Sequence, residues 1–308
     1  MFSLSLILLF SSIIYSQNVL YFDGENAMGY LNEQCEIGPR YPGSIGHANA
    51  IKLYKEHFKE YSDDVILFSD YVIHPHSLDS IKLTNIFSRF KPELNNRLLL
   101  MAHFDTREFA DKDLNKDNHD KPILGANDGA SGVAILMEIA KFLNQNPLLN
   151  LGVDILLTDG EDMGKPGDVD SWALGAKIFS KKIPSPLPFA AICVDMVGDA
   201  ELTLPIEVNS YLQAPELVLD IWKLAQELGY HEFKMEMGIP IVDDHYVFYN
   251  MTKIPSIDII DFDYPNKNLN YWHTLEDTPD KCSPRSLEIV GTVLVNYLHR
   301  LDLGMYEK

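Results

Sequence analysis

Five short segments of this chain place acids and histidines at or just beyond the ends of apolar runs. They are LLLMAHFDTRE around His103, LGANDGASG around Asp128, DILLTDGEDMG around Glu161 and Asp162, ICVDMVGD around Asp195, and NYWHTLEDTPD around His273. A buried strand that ends in an ionisable residue delivers that group to the crevice at the sheet's carboxyl edge, where open α/β folds bind ligands. Two imidazoles and several carboxylates meeting there have the donor types that hold Zn²⁺. Within the adjacent pair, Asp162 can ligate a metal while Glu161 moves a proton. Asp195 ends a buried run, where an unpaired carboxylate is costly, so it needs a metal or strong donors. Asp105 follows His103 by two residues and can orient its imidazole, as carboxylates do for metal-site histidines. Asp128 has two readings, a helix N-cap or a metal carboxylate. His273 sits in polar, loop-like surroundings that favour a ligand, and VDDHYVF adds Asp243, Asp244 and His245 in a further loop.

Regular elements must hold these groups in place. The continuous apolar runs RLLLMAHF, VDILLTD and PFAAICVDMV predict strands buried on both faces. VILFSDYVI, TNIFSRF and IPSIDIIDF also read as strands, and LTLPIEV as an edge-like piece. Apolar residues at helical spacing (Val133, Leu136, Met137, Ala140, Leu143) predict a helix from about Gly129 to Asn144. WALGAKIFSKK reads as a short helix, APELVLDIWKLAQELGY as an amphipathic helix ending at Gly229, and residues 21–61 as helical with turns. A closing helix starts with Ser283 as N-cap and Pro284 in its first turn. GEDMGKPGDVDS is an irregular loop, and REFADKDLNKDNHDKP (Arg107–Pro122) mixes charge signs and reads as an exposed one. Alternating strands and helices predict a three-layer α/β/α sandwich around a central mixed, mostly parallel sheet.

The 308 residues are 46% hydrophobic, enough for one large core, and show no repeat or interdomain linker. A net charge of −20 disfavours nucleic acid and anionic lipid as partners. Met1–Ser16 is almost wholly apolar and is expected to be a cleaved signal peptide, which leaves 17–308 as a single catalytic domain, secreted or otherwise extracytoplasmic. No other stretch is long and apolar enough to span a bilayer. Cys35, Cys193 and Cys282 lie far apart, so a disulfide framework is not expected. The chain has no GxSxG, GxGxxG, GxxxxGK[ST] or HExxH, which disfavours nucleophile-elbow hydrolases, nucleotide binding and HExxH metalloproteases.

Taken together, HFD, GANDGASG, GED, VDMVG, DDH and YWHT, with GPRYPGSIGH near the N-terminus, resemble the zinc-dependent aminopeptidase superfamily over roughly Glu33 to His299. Di-zinc aminopeptidases usually carry a Glu-Glu pair followed closely by a GLxGS-like helix start. Here Glu161-Asp162, a loop and then Trp172 are more similar to the glutaminyl-peptide cyclotransferases of bacterial type. That resemblance implies an aminopeptidase-like fold and one Zn²⁺ per chain, held by Asp128, Asp162 and His273. It also implies Glu161 as proton shuttle, Asp195 and Asp243 as a supporting acid network, and Trp172 and Trp272 as pocket walls. The implied reaction is cyclisation of an N-terminal glutamine of a peptide or protein to pyroglutamate with loss of ammonia, by a monomer. The alternative is a di-zinc aminopeptidase, in which His103 and Asp195 would serve a second metal.

Overall fold

The computed structural model describes residues 19–306. The expected signal segment Met1–Ser16 lies outside the described residues. In chain order the helices are α1 (Gly24–Glu36), α2 (Ile45–Tyr61), α3 (Ala130–Gln145), α4 (Leu174–Ser180), α5 (Val208–Gln213), α6 (Pro215–Glu227), α7 (Asp244–Thr252) and α8 (Pro284–Asp302). The strands are β1 (Asp64–Ile73), β2 (Ser80–Phe90), β3 (Arg97–His103), β4 (Gly152–Thr158), β5 (Ala190–Asp195), β6 (Leu204–Ile206), β7 (Phe233–Met237), β8 (Ser256–Ile260), β9 (Pro265–Asn266) and β10 (Leu269–Asn270).

Six strands form the central sheet in the order β1-β2-β4-β3-β5-β8. β4, β3, β5 and β8 run parallel, and the β1–β2 hairpin is added antiparallel on the β4 side. Every residue of β3, β4, β5 and β8 is buried, as continuous apolar runs require when both faces are covered. On β3, Leu98, Leu100 and Ala102 join the core beneath α1, α3 and α8, while Leu99 and Met101 pack with Phe179 of α4 and Phe248 of α7 on the other face. Each fully buried Leu of this kind contributes about 1.5–3 kcal/mol. The expected three-layer sandwich is thus present. Among the described residues no helix is long and apolar enough to cross a membrane.

Local signals hold in several places. Ser283 caps α8, its side chain accepting from Arg285 N–H at 3.1 Å, with Pro284 at the start. Other expectations are corrected. Asp243, Asp244 and His245 are not in a loop: Asp243 is the N-cap of α7 and the other two lie in its first turn. Asp128 is not a cap, because α3 begins after Gly129 with no side-chain cap bond. LTLPIEV contributes only Leu204–Ile206, which pairs with β7 in a separate two-stranded sheet. The Arg107–Pro122 segment is not simply exposed, since Arg107 and Ala110 are buried. All three cysteines are free and buried, as the absence of a framework predicted.

At the end of the sheet away from the strand carboxyl termini, Asp154 of β4 gathers two buried guanidiniums. It accepts from Arg89 Nε at 2.9 Å and from Arg97 Nε and Nη2 at 3.0 and 2.6 Å. Removing one partner of a buried ion cluster strands the others uncompensated. Asp154→Ala is therefore expected to destabilise the fold by about 3–5 kcal/mol, read as a lowered midpoint in denaturant unfolding. A midpoint equal to that of the unaltered chain would refute this account of how β2, β3 and β4 are tied together.

Candidate active site

The carboxyl ends of the parallel strands bring the five segments together. His103 ends β3, the Glu161-Asp162 turn follows β4, and Asp195 ends β5. Asp128 precedes α3, and His273 arrives on the loop after β10. The turn carrying Asp128 is fixed by groups the sequence did not reveal. Asp277 accepts the N–H groups of Asn127 (2.8 Å) and Asp128 (3.2 Å), and Arg40 donates to the carbonyls of Phe104, Leu124 and Gly125.

His273 Nε2 lies 2.9 Å from Asp162 Oδ1 and 3.6 Å from Asp128 Oδ2. His103 Nε2 lies 3.1 Å from both Asp128 Oδ1 and Asp195 Oδ1. One donor atom each from His103, Asp128 and Asp162 lies within 4.8 Å of the others. Oδ2 of Asp128 and Oδ2 of Asp162 are buried with no hydrogen-bond partner. Orphaned buried carboxylate oxygens beside imidazole nitrogens are the donor set that suits zinc, so the residues fit such an ion. His273 is pushed up to about 9: burial lowers it, but Asp162, Asp111 and Asp128 together outweigh burial. Ligation needs the neutral imidazole, so binding a metal there displaces that proton.

Asp105 corrects one expectation. The carbonyl of Asp105, at 3.1 Å, holds His103 Nδ1, whereas its carboxylate is 3.8 Å away. That carboxylate instead accepts the N–H groups of Glu161 (3.0 Å) and Asp162 (3.1 Å), and so fastens the acid turn. The pKa of His103 is raised well above the usual value: burial lowers it, but Asp195, Asp105 and Asp128 prevail.

The two acids nearest the proton chemistry are driven apart. Glu161 is raised well above the carboxylate range, by burial first and then by the charges of Asp243 and Asp162. Asp243 falls to about 2: burial raises it, but His245 and the Asp244 N–H more than compensate. His245 is itself pinned between Glu207 (Nε2, 3.2 Å) and Asp258 (Nδ1, 3.6 Å). Two coupled acids whose surroundings push their pKa values in opposite directions are the pattern of acid–base sites.

Two indoles wall the ligand group. The Trp272 ring stacks on His273 at 3.8 Å between centroids, and the Trp172 ring lies nearly parallel to it at 6.2 Å. Trp172 lies flat because residue 164 is glycine: a Cβ there would fall 2.0 Å from the ring. Arg107 was also missed. Its guanidinium reaches the carbonyls of Asp162 and Gly164 and pairs with Asp111, inside a segment whose mixed charges signalled solvent. The one available signal was its position two residues beyond Asp105, on the loop that follows His103.

The sequence model of Peptidase family M28 matches residues 85–298. The chain is 23% identical over 295 residues to the glutaminyl-peptide cyclotransferase of Bos taurus, covering 84% of this chain and 79% of that protein. Among solved structures it is similar to the Bacteroides thetaiotaomicron glutaminyl cyclase bound to N-acetylhistamine, with a TM-score of 0.86 at 33% identity over 92% of this chain and 99% of that one. It is equally similar to a Zn-dependent exopeptidase from Parabacteroides distasonis, with a TM-score of 0.86 at 31% identity over 92% of this chain and 99% of that one. The chain belongs to peptidase family M28 and is a homologue of glutaminyl cyclases.

Proposed function

We propose that this chain is a zinc-dependent glutaminyl cyclase that converts a free N-terminal glutamine of a peptide or protein to pyroglutamate and releases ammonia. The observation that carries the reading is the pair of indoles, Trp172 and Trp272, parallel to the ring of His273, which lies 2.9 Å from Asp162, the neighbour in sequence of the buried Glu161. Ring closure within one residue needs a dry, apolar slot that folds the glutaminyl side chain back on its own amine, and water admitted there would give hydrolysis instead. In this reading residues 17–308 form one catalytic domain, exported through Met1–Ser16 and acting as a monomer.

Asp128, Asp162 and His273 would hold a single zinc ion, and the chemistry it supplies when bound is polarisation of the substrate γ-carbonyl. Glu161 accepts a proton from the α-amine as its nitrogen attacks the γ-carbon. The new C–N bond closes the lactam, the bond to the side-chain nitrogen breaks, and Glu161 returns the proton so that ammonia leaves. Burial and the charges of Asp243 and Asp162 favour keeping that proton on Glu161 between transfers, with Asp195 as a further member of the supporting acid network. The two indoles hold the stem folded, which supplies much of the rate by orientation. The acidic surroundings also suit a substrate whose terminus is an ammonium group.

A second reading, a di-zinc aminopeptidase, is favoured by the His103–Asp128–Asp162 group with Asp195 beside it. The two part on one assay. Incubation with a Gln-initiated peptide is expected to lower its mass by one ammonia, whereas release of free glutamine, with two zinc ions per chain, would overturn the cyclase assignment. Glu161→Gln is expected to lower kcat about a hundredfold to ten-thousandfold while zinc content by elemental analysis stays unchanged. Near-normal turnover in that variant would remove Glu161 from the mechanism. Stripping the metal with a chelator is expected to abolish turnover and added zinc to restore it.

A further inference from the structure

Arg107 and Asp111 have no part in the roles above, yet they touch most of the groups that do. Arg107 is 1% exposed, and a charge so buried persists only when its donors are satisfied. Nη1 donates to the carbonyl of Asp162 at 2.7 Å and to that of Gly164 at 2.6 Å. Nε and Nη2 donate to the two carboxylate oxygens of Asp111, each at 3.2 Å, in the two-pronged pairing that a guanidinium makes best. The guanidinium carbon lies 5.0 Å from the Trp172 ring centroid. Asp111 Oδ1, the oxygen that faces Nε, is also 3.4 Å from Nδ1 of His273.

We infer that Arg107 and Asp111 are a positioning pair for the metal centre. Asp111 faces Nδ1 of His273 and so favours the tautomer that carries its proton there, which turns Nε2 towards Asp128 and Asp162. Arg107 holds Asp111 in that place, anchors the main chain of the Asp162 turn and supports the Trp172 wall. One side chain thereby sets two of the three proposed ligands and one side of the pocket. Lysine cannot replace it, because a point charge offers neither the paired donors nor the flat face. The inference rests on the zinc assignment to Asp128, Asp162 and His273, and not on which reaction the centre performs.

The test is the zinc dissociation constant, measured by chelator competition on the purified full chain, with unfolding of the metal-free protein followed in parallel. Asp111→Ala is expected to remain folded without metal and to bind zinc about tenfold to a hundredfold more weakly, the usual cost of losing an outer partner of a ligating histidine. Arg107→Lys is expected to weaken zinc similarly and to alter the visible spectrum of the cobalt-substituted protein, a change that simple loss of stability would not produce. Zinc affinity and cobalt spectrum equal to those of the unaltered chain, with only the unfolding midpoint lowered, would reduce both residues to fold supports and overturn the inference. If Asp111→Ala does not fold, the near-isosteric Asp111→Asn carries the same test and must still weaken zinc. A cyclase assay that fails on the unaltered, zinc-loaded chain counts against the proposed reaction and leaves this affinity comparison intact.

Discussion

Everything at the carboxyl edge of this sheet depends on neutralising crowded, buried negative charge. Asp128, Asp162, Asp195, Asp243, Asp258 and Glu161 are all at most 7% exposed, and like charges out of water cannot all be ionised together. The fold settles the conflict in three ways. It sets His103 and His245 among acids that raise their pKa values, it raises Glu161 towards its protonated form, and it offers unpartnered carboxylate oxygens that suit a divalent cation. Each way places positive charge or a proton within reach of a neighbouring acid, so a change at one member is felt at the others.

That arrangement requires the main chain to be held more tightly than loops usually are. The Glu161-Asp162 turn hangs from the Asp105 carboxylate, and the Asp128 turn hangs from Asp277 and Arg40. Tyr264 in turn donates to Asp277 at 2.9 Å, which links the Asp128 turn to the segment leading to His273. The Asp105, Asp277 and Arg40 contacts to these turns run from side chain to backbone across stretches remote in sequence. They set the positions of Asp128 and Asp162 while leaving Oδ2 of each without a hydrogen-bond partner.

The sheet and much of the site were legible in the sequence because their signals are local. Continuous apolar runs marked β3, β4 and β5, IPSIDIIDF read as a further strand where β8 lies, and an acid or histidine at or just beyond the end of such a run marked His103, Glu161, Asp162 and Asp195. The fastening was not legible, because its signals are non-local. Asp105 looked like a partner for the His103 ring two residues away, but its oxygens serve a turn more than fifty residues further on. Arg107 sits in a run of mixed charge that reads as solvated, and only the fold brings the carbonyls of Asp162 and Gly164 to it. Asp243 was seen as chemistry but placed in a loop, since an Asp-Asp-His start with aromatics behind it lacks the apolar spacing that announces a helix.

The Asp154 cluster with Arg89 and Arg97 lies towards the far end of the same strands from the metal-type residues. Strand registry is thus anchored at one end while reactivity is confined to the other. Such a division makes a lineage evolvable: one scaffold can diverge into enzymes that close a ring and enzymes that cut a chain, because the parts that distinguish them are not the parts that keep the strands in line.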